Sequence, residues 1–142
     1  MRIVFVCTGN TCRSPLAESI ARSLSEQHDF ASRGLAAYNG APVSFYSAAL
    51  IREHALPEPS AAEQFQPEDA HADLILTMSS SHQQHIKALY PEANVYMLSE
   101  FAAGETAGIA DPYGGDRSAY QHAYNQIAEY VRQLLEKLDN TQ

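Results

Sequence analysis

Cysteine is scarce in this chain, and tryptophan does not occur at all. Among its 142 residues only Cys7 and Cys12 are cysteines. Two cysteines five positions apart cannot form the disulfide framework of a small secreted domain, so we expect reactive rather than structural thiols. The length is sufficient for one domain with a hydrophobic core of its own.

Basic residues are also few: nine Lys and Arg stand against seventeen Asp and Glu, which gives a formal net charge of −8. This balance argues against a nucleic-acid-binding protein, which would usually carry a basic surface patch. No apolar run is long enough to span a membrane. Met1 and Arg2 lead directly into an apolar run, without the pattern of a signal peptide. We therefore expect a cytoplasmic protein that binds neither nucleic acids nor membranes.

A strand, a loop and a helix are predicted at the very start of the chain. The apolar residues 3–6 predict a strand that is buried on both faces. Apolar residues at helical spacing begin at Leu16 and predict a helix. Ser14 suits the N-cap of this helix and Pro15 its first position. The loop between the two elements therefore ends at a helix N-terminus.

The composition of this loop is that of an anion-binding nest. Gly9 and Asn10 tolerate positive φ, so the loop can curl until its backbone amides converge. Convergent amides at a helix N-terminus bind phosphate groups. The planar guanidinium of Arg13 adds a fork that matches two phosphate oxygens. The same positive field favours the thiolate form of Cys7, which would make it a nucleophile beneath a bound phosphate.

Strands and helices are predicted to alternate along the rest of the chain. We predict strands over 30–36, 72–78 and 95–98, a helix starting at Pro42, one helical turn at 67–69, a helix capped by residues 79–81 that ends at Leu89 or Tyr90, a flexible connection with Gly104 and Gly108, and a final helix with the apolar stripe Tyr120, Tyr124, Ile127, Val131, Leu134 and Leu138.

This alternation predicts a single doubly wound α/β domain over residues 1–142, flavodoxin-like in the broad sense. A parallel sheet would be covered by helices on both faces. In such folds ligands bind at the carboxyl ends of the strands. The loop that begins at Cys7 would lie at that edge.

The string V-C-x-G-N-x-C-R-S-P-x-A-E, residues 6–18, resembles the signature loop of the low-molecular-weight protein phosphatase family. The resemblance covers essentially the whole chain and implies a four-stranded parallel sheet. It implies that Cys7 is the nucleophile, that a phosphocysteine forms, and that Arg13 clamps the phosphate, with no cofactor and no metal. The other residues predicted to bind the substrate are Thr8, Gly9, Asn10, Thr11, Cys12, Ser14 and Tyr113. Of these, Asn10 and Ser14 are expected to hold the geometry of the loop and to be able to hydrogen-bond the thiolate.

A phosphatase of this type also needs an acid for the leaving group and later a base for water. Asp111 is the candidate for both roles, because Pro112 stiffens its backbone and nearby glycines would let the loop close. In isolation, Asp-Pro also fits a plain turn. The trio of Asp111, Pro112 and Tyr113 resembles the acid loop of the family, in which Tyr113 would form a wall of the pocket.

Cys12 admits two interpretations. It could form a reversible disulfide with Cys7 that protects the nucleophile from over-oxidation, or it could be a small buried residue. Among the histidines, His82 and His85 are spaced for a metal on a helix, but a solvated helix face is the favoured interpretation. Many family members support the signature loop with a His and a Ser, and Glu58 and Ser32 fall near those places here.

Thr11 and Gly114 indicate the substrate. Tyrosine-directed members usually carry an apolar residue at the first position and often an aromatic residue at the second, so the pair resembles the protein-arginine phosphatase branch. We therefore favour phosphoarginine on proteins or peptides, with inorganic phosphate as product, and keep phosphotyrosine as the alternative. Arsenate reduction would need cysteines after Cys12, and none occur. A non-catalytic phosphopeptide-binding module would be expected to lose Cys7 or Asp111.

Overall fold

The computed structural model describes residues 1–140, and in this part of the chain four parallel strands form one sheet. The strands are β1 (Arg2–Cys7), β2 (Asp29–Gly34), β3 (Leu74–Thr77) and β4 (Val95–Met97), arranged in the order β2-β1-β3-β4. This order confirms the predicted doubly wound parallel fold. Thr141 and Gln142, which belong to the predicted domain, lie outside the described residues.

Helices pack on both faces of the sheet, because neighbouring residues of a strand point to opposite sides. On one face, Ile3 and Phe5 of β1 belong to a core with α1, α2, α4 and α5, whereas on the other Val4 and Val6 pack with Ile86 of α3. The helices are α1 (Arg13–Leu24), α2 (Phe45–Glu53), α3 (Ser80–Leu89), α4 (Leu98–Ala103) and α5 (Arg117–Asn140), and a 3₁₀ turn spans Pro67–His71.

The predicted stripe of the last helix is confirmed, since all six of its apolar residues are buried. Two other predictions were wrong. The helix predicted to start at Pro42 begins only at Phe45. The segment before Gly104 is not simply a flexible connection: α4 starts directly after β4, and Gly104 at φ 69 ends it in the left-handed conformation. Six residues carry too little apolar periodicity to reveal such a helix.

No helix within residues 1–140 has both the length and the apolar composition that crossing a bilayer requires.

Gly34, the last residue of β2, lets the loop that follows β1 approach very closely. A Cβ atom at this position would lie 2.6 Å from the carbonyl oxygen of Thr8 and 2.9 Å from the amide nitrogen of Asn10. Both neighbours are backbone atoms, which cannot rotate away as a side chain can. The loop therefore rests directly on the backbone of β2.

Gly34→Ala should accordingly destabilise the protein by about 1–3 kcal/mol, the usual cost of forcing extra volume into a packed site. Gly9→Ala is the matched control, because its Cβ would meet only the hydroxyl of Thr11 at an ordinary 3.5 Å. Urea unfolding of both variants measures the difference. Equal stabilities for the two variants would contradict the steric argument.

Candidate active site

The loop between β1 and α1 owes its shape to Asn10. This residue is almost fully buried and has a φ of 57°, in the left-handed region that Asn tolerates. Gly9 does not share this conformation, contrary to the expectation that both residues would curl the loop. The Oδ1 atom of Asn10 accepts a hydrogen bond from the amide of Glu63 at 2.9 Å, and its Nδ2 donates to Ser14 Oγ at 2.8 Å.

The thiol of Cys7 lies at the bottom of this loop. It is free and buried, and its Sγ is 3.0 Å from Ser14 Oγ. Because the hydroxyl of Ser14 is occupied by Cys7 and Asn10, it does not cap the helix. Helix α1 instead begins at Arg13, with Cys12 at the cap position and no side-chain cap. The predicted N-cap at Ser14 was therefore wrong, and the amides of the first turn remain without a side-chain acceptor.

The guanidinium of Arg13 is buried beside the thiol, with 5% of its side chain exposed. Its Nη1 donates to the carbonyl of Ile109 at 2.8 Å, and its Nη2 lies 3.6 Å from Asp111 Oδ2. Its buried Nε atom has no hydrogen-bond partner among the described residues. A buried cation with an unused donor is well suited to an anionic ligand.

Asp111 lies on the segment that precedes α5 and is half exposed. Its Oδ1 accepts a hydrogen bond from the amide of Tyr113 at 3.1 Å, so the carboxylate is tied to its own turn. Gly114 follows at φ 80°, a conformation that favours glycine whatever the ligand is. The predicted Asp-Pro turn and a carboxylate facing Arg13 therefore occur together.

A small pocket of about 120 Å³ joins these groups. Cys7 and Arg13 line it together with Asp111, and Tyr113 forms part of its wall as predicted. Asn10 and Ser14 do not line it, although they were also predicted to bind the substrate. They hold the loop through their hydrogen bonds, which is the supporting role expected of them. The lining residues are Cys7, Thr8, Gly9, Thr11, Cys12, Arg13, Asp111 and Tyr113.

Comparison with known proteins places this geometry in a family. The model of the low molecular weight phosphotyrosine protein phosphatase family matches residues 2–142. The chain belongs to this family. The low molecular weight protein-tyrosine-phosphatase PtpB of Staphylococcus epidermidis is 47% identical over 94% of this chain and 96% of its own length.

Two solved structures of the phosphatase family are similar to this chain. The YwlE arginine phosphatase from Geobacillus stearothermophilus has a TM-score of 0.95 and 32% identity, covering 99% of this chain and 94% of that one. A YwlE arginine phosphatase mutant with a phosphorylated active site serine has a TM-score of 0.93 and 29% identity, covering 98% and 96%. The four-stranded fold and the membership of the phosphatase family are therefore confirmed.

The second thiol of this phosphatase, Cys12, is free and buried at the pocket wall. Its Sγ lies 3.5 Å from the hydroxyl of Tyr120 on α5. Burial, followed by the contact with Cys12, raises the pKa of Tyr120 to about 12, so the phenol stays protonated. Tyr120, which was predicted only as part of an apolar stripe, thus also contacts the signature loop.

Glu58 and Ser32, which fall near the places of the family's supporting His and Ser, do not support the loop. Glu58 is exposed, and its carbonyl accepts a hydrogen bond from Arg22. Ser32 donates to the buried carboxylate of Glu18 at 2.6 Å rather than to the loop. Asn10 and Glu63 provide the support instead. Their contact joins positions 53 residues apart, which no local pattern could indicate.

His82 corrects another expectation. Instead of lying on a solvated helix face, it is buried, with Nε2 2.9 Å from Thr8 Oγ1 and Nδ1 3.0 Å from Ser79 Oγ. Burial and the nearby charge of Arg13 lower its pKa from 6.5 to about 4. Within residues 1–140 no cluster of three or more His, Cys, Asp and Glu side chains could hold a metal ion.

The lowered pKa of His82 predicts a pH-dependent stability. Between pH 6.5 and about 4 the unfolded chain binds a proton at this residue that the folded chain does not bind. The free energy of unfolding should therefore fall as the pH is lowered through this window, and His82→Gln should remove that part of the decrease. Urea unfolding at pH 7 and 4.5 measures both. The exposed His85 supplies the control variant, His85→Gln, which should follow the wild type. An identical decrease in His82→Gln would contradict this origin.

Proposed function

We propose that this phosphatase hydrolyses phosphoarginine on proteins through a phosphocysteine intermediate. The observation that carries the choice of substrate is the side chain of Thr11, which lines the pocket beside Cys7 and Asp111. Among the described residues the closest polar partner of its hydroxyl is Cys12 Sγ, at 3.9 Å. This hydroxyl is therefore available to a polar leaving group or to a water, whereas an apolar side chain there would suit a phenol ring.

In the first step the thiolate of Cys7 attacks phosphorus, and an S–P bond forms while the P–N bond breaks. The proton that the guanidino nitrogen needs comes from Asp111, which lines the same pocket. The guanidinium of Arg13 and the uncapped amides of α1 face the phosphoryl oxygens, so that their charge is stabilised throughout the step.

In the second step a water molecule attacks phosphorus, the S–P bond breaks, and inorganic phosphate leaves. Asp111, which is now ionised, takes the proton of this water. The hydroxyl of Ser14, 3.0 Å from Cys7 Sγ, can donate to the departing thiolate. One carboxyl group thus acts first as the acid and then as the base.

Phosphotyrosine remains the second candidate, because the Staphylococcus epidermidis relative, which is more similar in sequence, is named a protein-tyrosine-phosphatase. The likeness in structure to an arginine phosphatase supports the first candidate. Gly114 does not discriminate between them, since its backbone conformation favours glycine in either case. A non-catalytic phosphopeptide-binding module is disfavoured because Cys7 and Asp111 are both present in the pocket.

We also propose that Cys12 protects Cys7. A peroxide would oxidise the thiolate of Cys7 to a sulfenic acid, and the thiol of Cys12 would condense with it to a disulfide with loss of water. Both thiols are free and line one pocket. A thiol reductant would then restore the nucleophile.

Asp111→Asn tests the acid. It should slow the cleavage of poor leaving groups by about 10²–10⁴-fold, the usual contribution of general acid catalysis. The hydrolysis of nitrophenyl phosphate should be slowed less, because its activated leaving group departs without a proton. Single-turnover rates on both substrates measure the contrast. Asp116→Asn is the matched control, because that exposed carboxylate is bound to the amide of Ala119. Equal losses on both substrates would exclude Asp111 as the acid.

Thr11→Ile tests the substrate. It removes the hydroxyl and should shift the ratio of kcat/KM for phosphoarginine over phosphotyrosine peptides towards tyrosine by roughly 5- to 150-fold, the equivalent of one polar contact of about 1–3 kcal/mol. Thr11→Ser keeps the hydroxyl and should keep the preference. A wild type that prefers phosphotyrosine peptides, or a ratio unchanged by Thr11→Ile, would favour the second candidate.

A further inference from the structure

The turn between β3 and α3 lies where the signature loop meets the segment that carries Asp111. The amide of Met78 donates to the carbonyl of Val6 at 3.1 Å, and the carbonyl of Met78 accepts from the amide of Ile109 at 2.9 Å. The carbonyl of Ile109 in turn accepts from Arg13. This turn therefore lies between the strand that ends at the nucleophile and the segment that leads to the acid.

The contact between this turn and the acid segment is a close backbone approach. A Cβ atom on Gly108 would lie 3.0 Å from the carbonyl oxygen of Met78 and 3.2 Å from the Cα of Ser79. A displacement of the turn would consequently displace the segment that leads to Asp111. The position of the turn relative to the signature loop therefore determines the position of the acid relative to the nucleophile.

His82 is the side chain that connects this turn with the pocket. Its Nδ1 contacts the hydroxyl of Ser79, which also caps α3 by accepting the amide of His82. Its Nε2 contacts the hydroxyl of Thr8, the residue that follows Cys7 and lines the pocket. One buried ring therefore bridges the turn and the pocket wall.

The surroundings of the ring favour its unprotonated form, which suits this bridge. Arg13 on α1 and His85 on α3 both disfavour its protonation, while Asp111 on the acid segment has the opposite effect, and burial is the largest influence. An unprotonated imidazole has one donor and one acceptor nitrogen. Two hydroxyl groups, each able to donate or accept, complete both contacts.

We propose that His82 is a positioning residue of the phosphatase reaction, which holds the signature loop in register with the segment that carries Asp111 through Thr8 and Ser79. The inference rests on the proposed roles of Cys7 and Asp111, and it adds a residue that touches neither the substrate nor the reacting atoms. The contact with Thr8 is the functional part of the bridge, and the contact with Ser79 anchors the ring.

Two amide variants separate the two contacts. In His82→Gln the terminal group reaches the place of Nε2 and can still contact Thr8, whereas in His82→Asn it reaches only the place of Nδ1 and Ser79. His82→Asn should lower kcat/KM for phenyl phosphate by about 10- to 100-fold, the usual effect of a small misplacement of reacting groups. His82→Gln should retain most of the activity.

The substrate dependence distinguishes positioning from a general loss of structure. Because the acid matters most for a poor leaving group, His82→Asn should lower kcat/KM for phenyl phosphate more than for nitrophenyl phosphate. Thr8→Val, which removes the hydroxyl at nearly constant shape, should lose activity in the same way. The double variant that combines His82→Asn with Thr8→Val should have a kcat/KM no lower than that of the more affected single variant, since both changes remove the same contact. His85→Ala, an exposed change on the same helix, should retain wild-type values.

Urea unfolding of each variant checks that the assays compare folded proteins. Equal kcat/KM for His82→Asn and His82→Gln, or additive losses in the double variant with Thr8→Val, would overturn the positioning role while leaving the proposed function intact. A wild type that turns over neither these aryl phosphates nor phosphoarginine peptides would overturn the proposed function and this inference with it.

Discussion

The buried side-chain amide of Asn10 is the interaction on which the rest of the site depends. It holds a left-handed backbone in the middle of the signature loop, and its two polar ends bind the distant amide of Glu63 and the hydroxyl of Ser14. That hydroxyl in turn contacts the thiol of Cys7. A buried amide that satisfies both ends fixes one geometry, because breaking either contact leaves an unpaired polar group in the interior.

The elements that could be predicted are those with a clear pattern in their own stretch of sequence. A pattern within a short stretch of sequence indicates each of three elements: the strand of residues 2–7, the signature loop and the apolar stripe of α5. The pocket could also be largely predicted, because its eight lining residues all come from positions 7–13 and from the Asp-Pro turn. Helix α4 escaped prediction because its six residues have no distinct periodicity.

The parts of the site that could not be predicted depend on distant contacts. His82 looks like an ordinary helix residue until the parallel sheet brings its helix beside Thr8, 74 positions away. The carbonyl of Ile109, which binds Arg13, has no side-chain signature at all. The cap at Ser14 was wrongly predicted, because a hydroxyl before an apolar stripe is typical of a cap. The other role expected of Ser14, a contact with the thiol of Cys7, is the one that the structure shows.

The order of the parts along the chain has a consequence for synthesis. Arg13 emerges from the ribosome long before Ile109 and Asp111, the groups that bind its guanidinium in the finished protein. At about 5–20 residues per second the interval is roughly 5–20 s. During this time the nascent chain carries Cys7 and Arg13 but not Asp111 and Tyr113, which line the same pocket in the folded protein. The pocket can therefore be completed only late in synthesis, when the segment of Ile109 and Asp111 becomes available to fold against the signature loop.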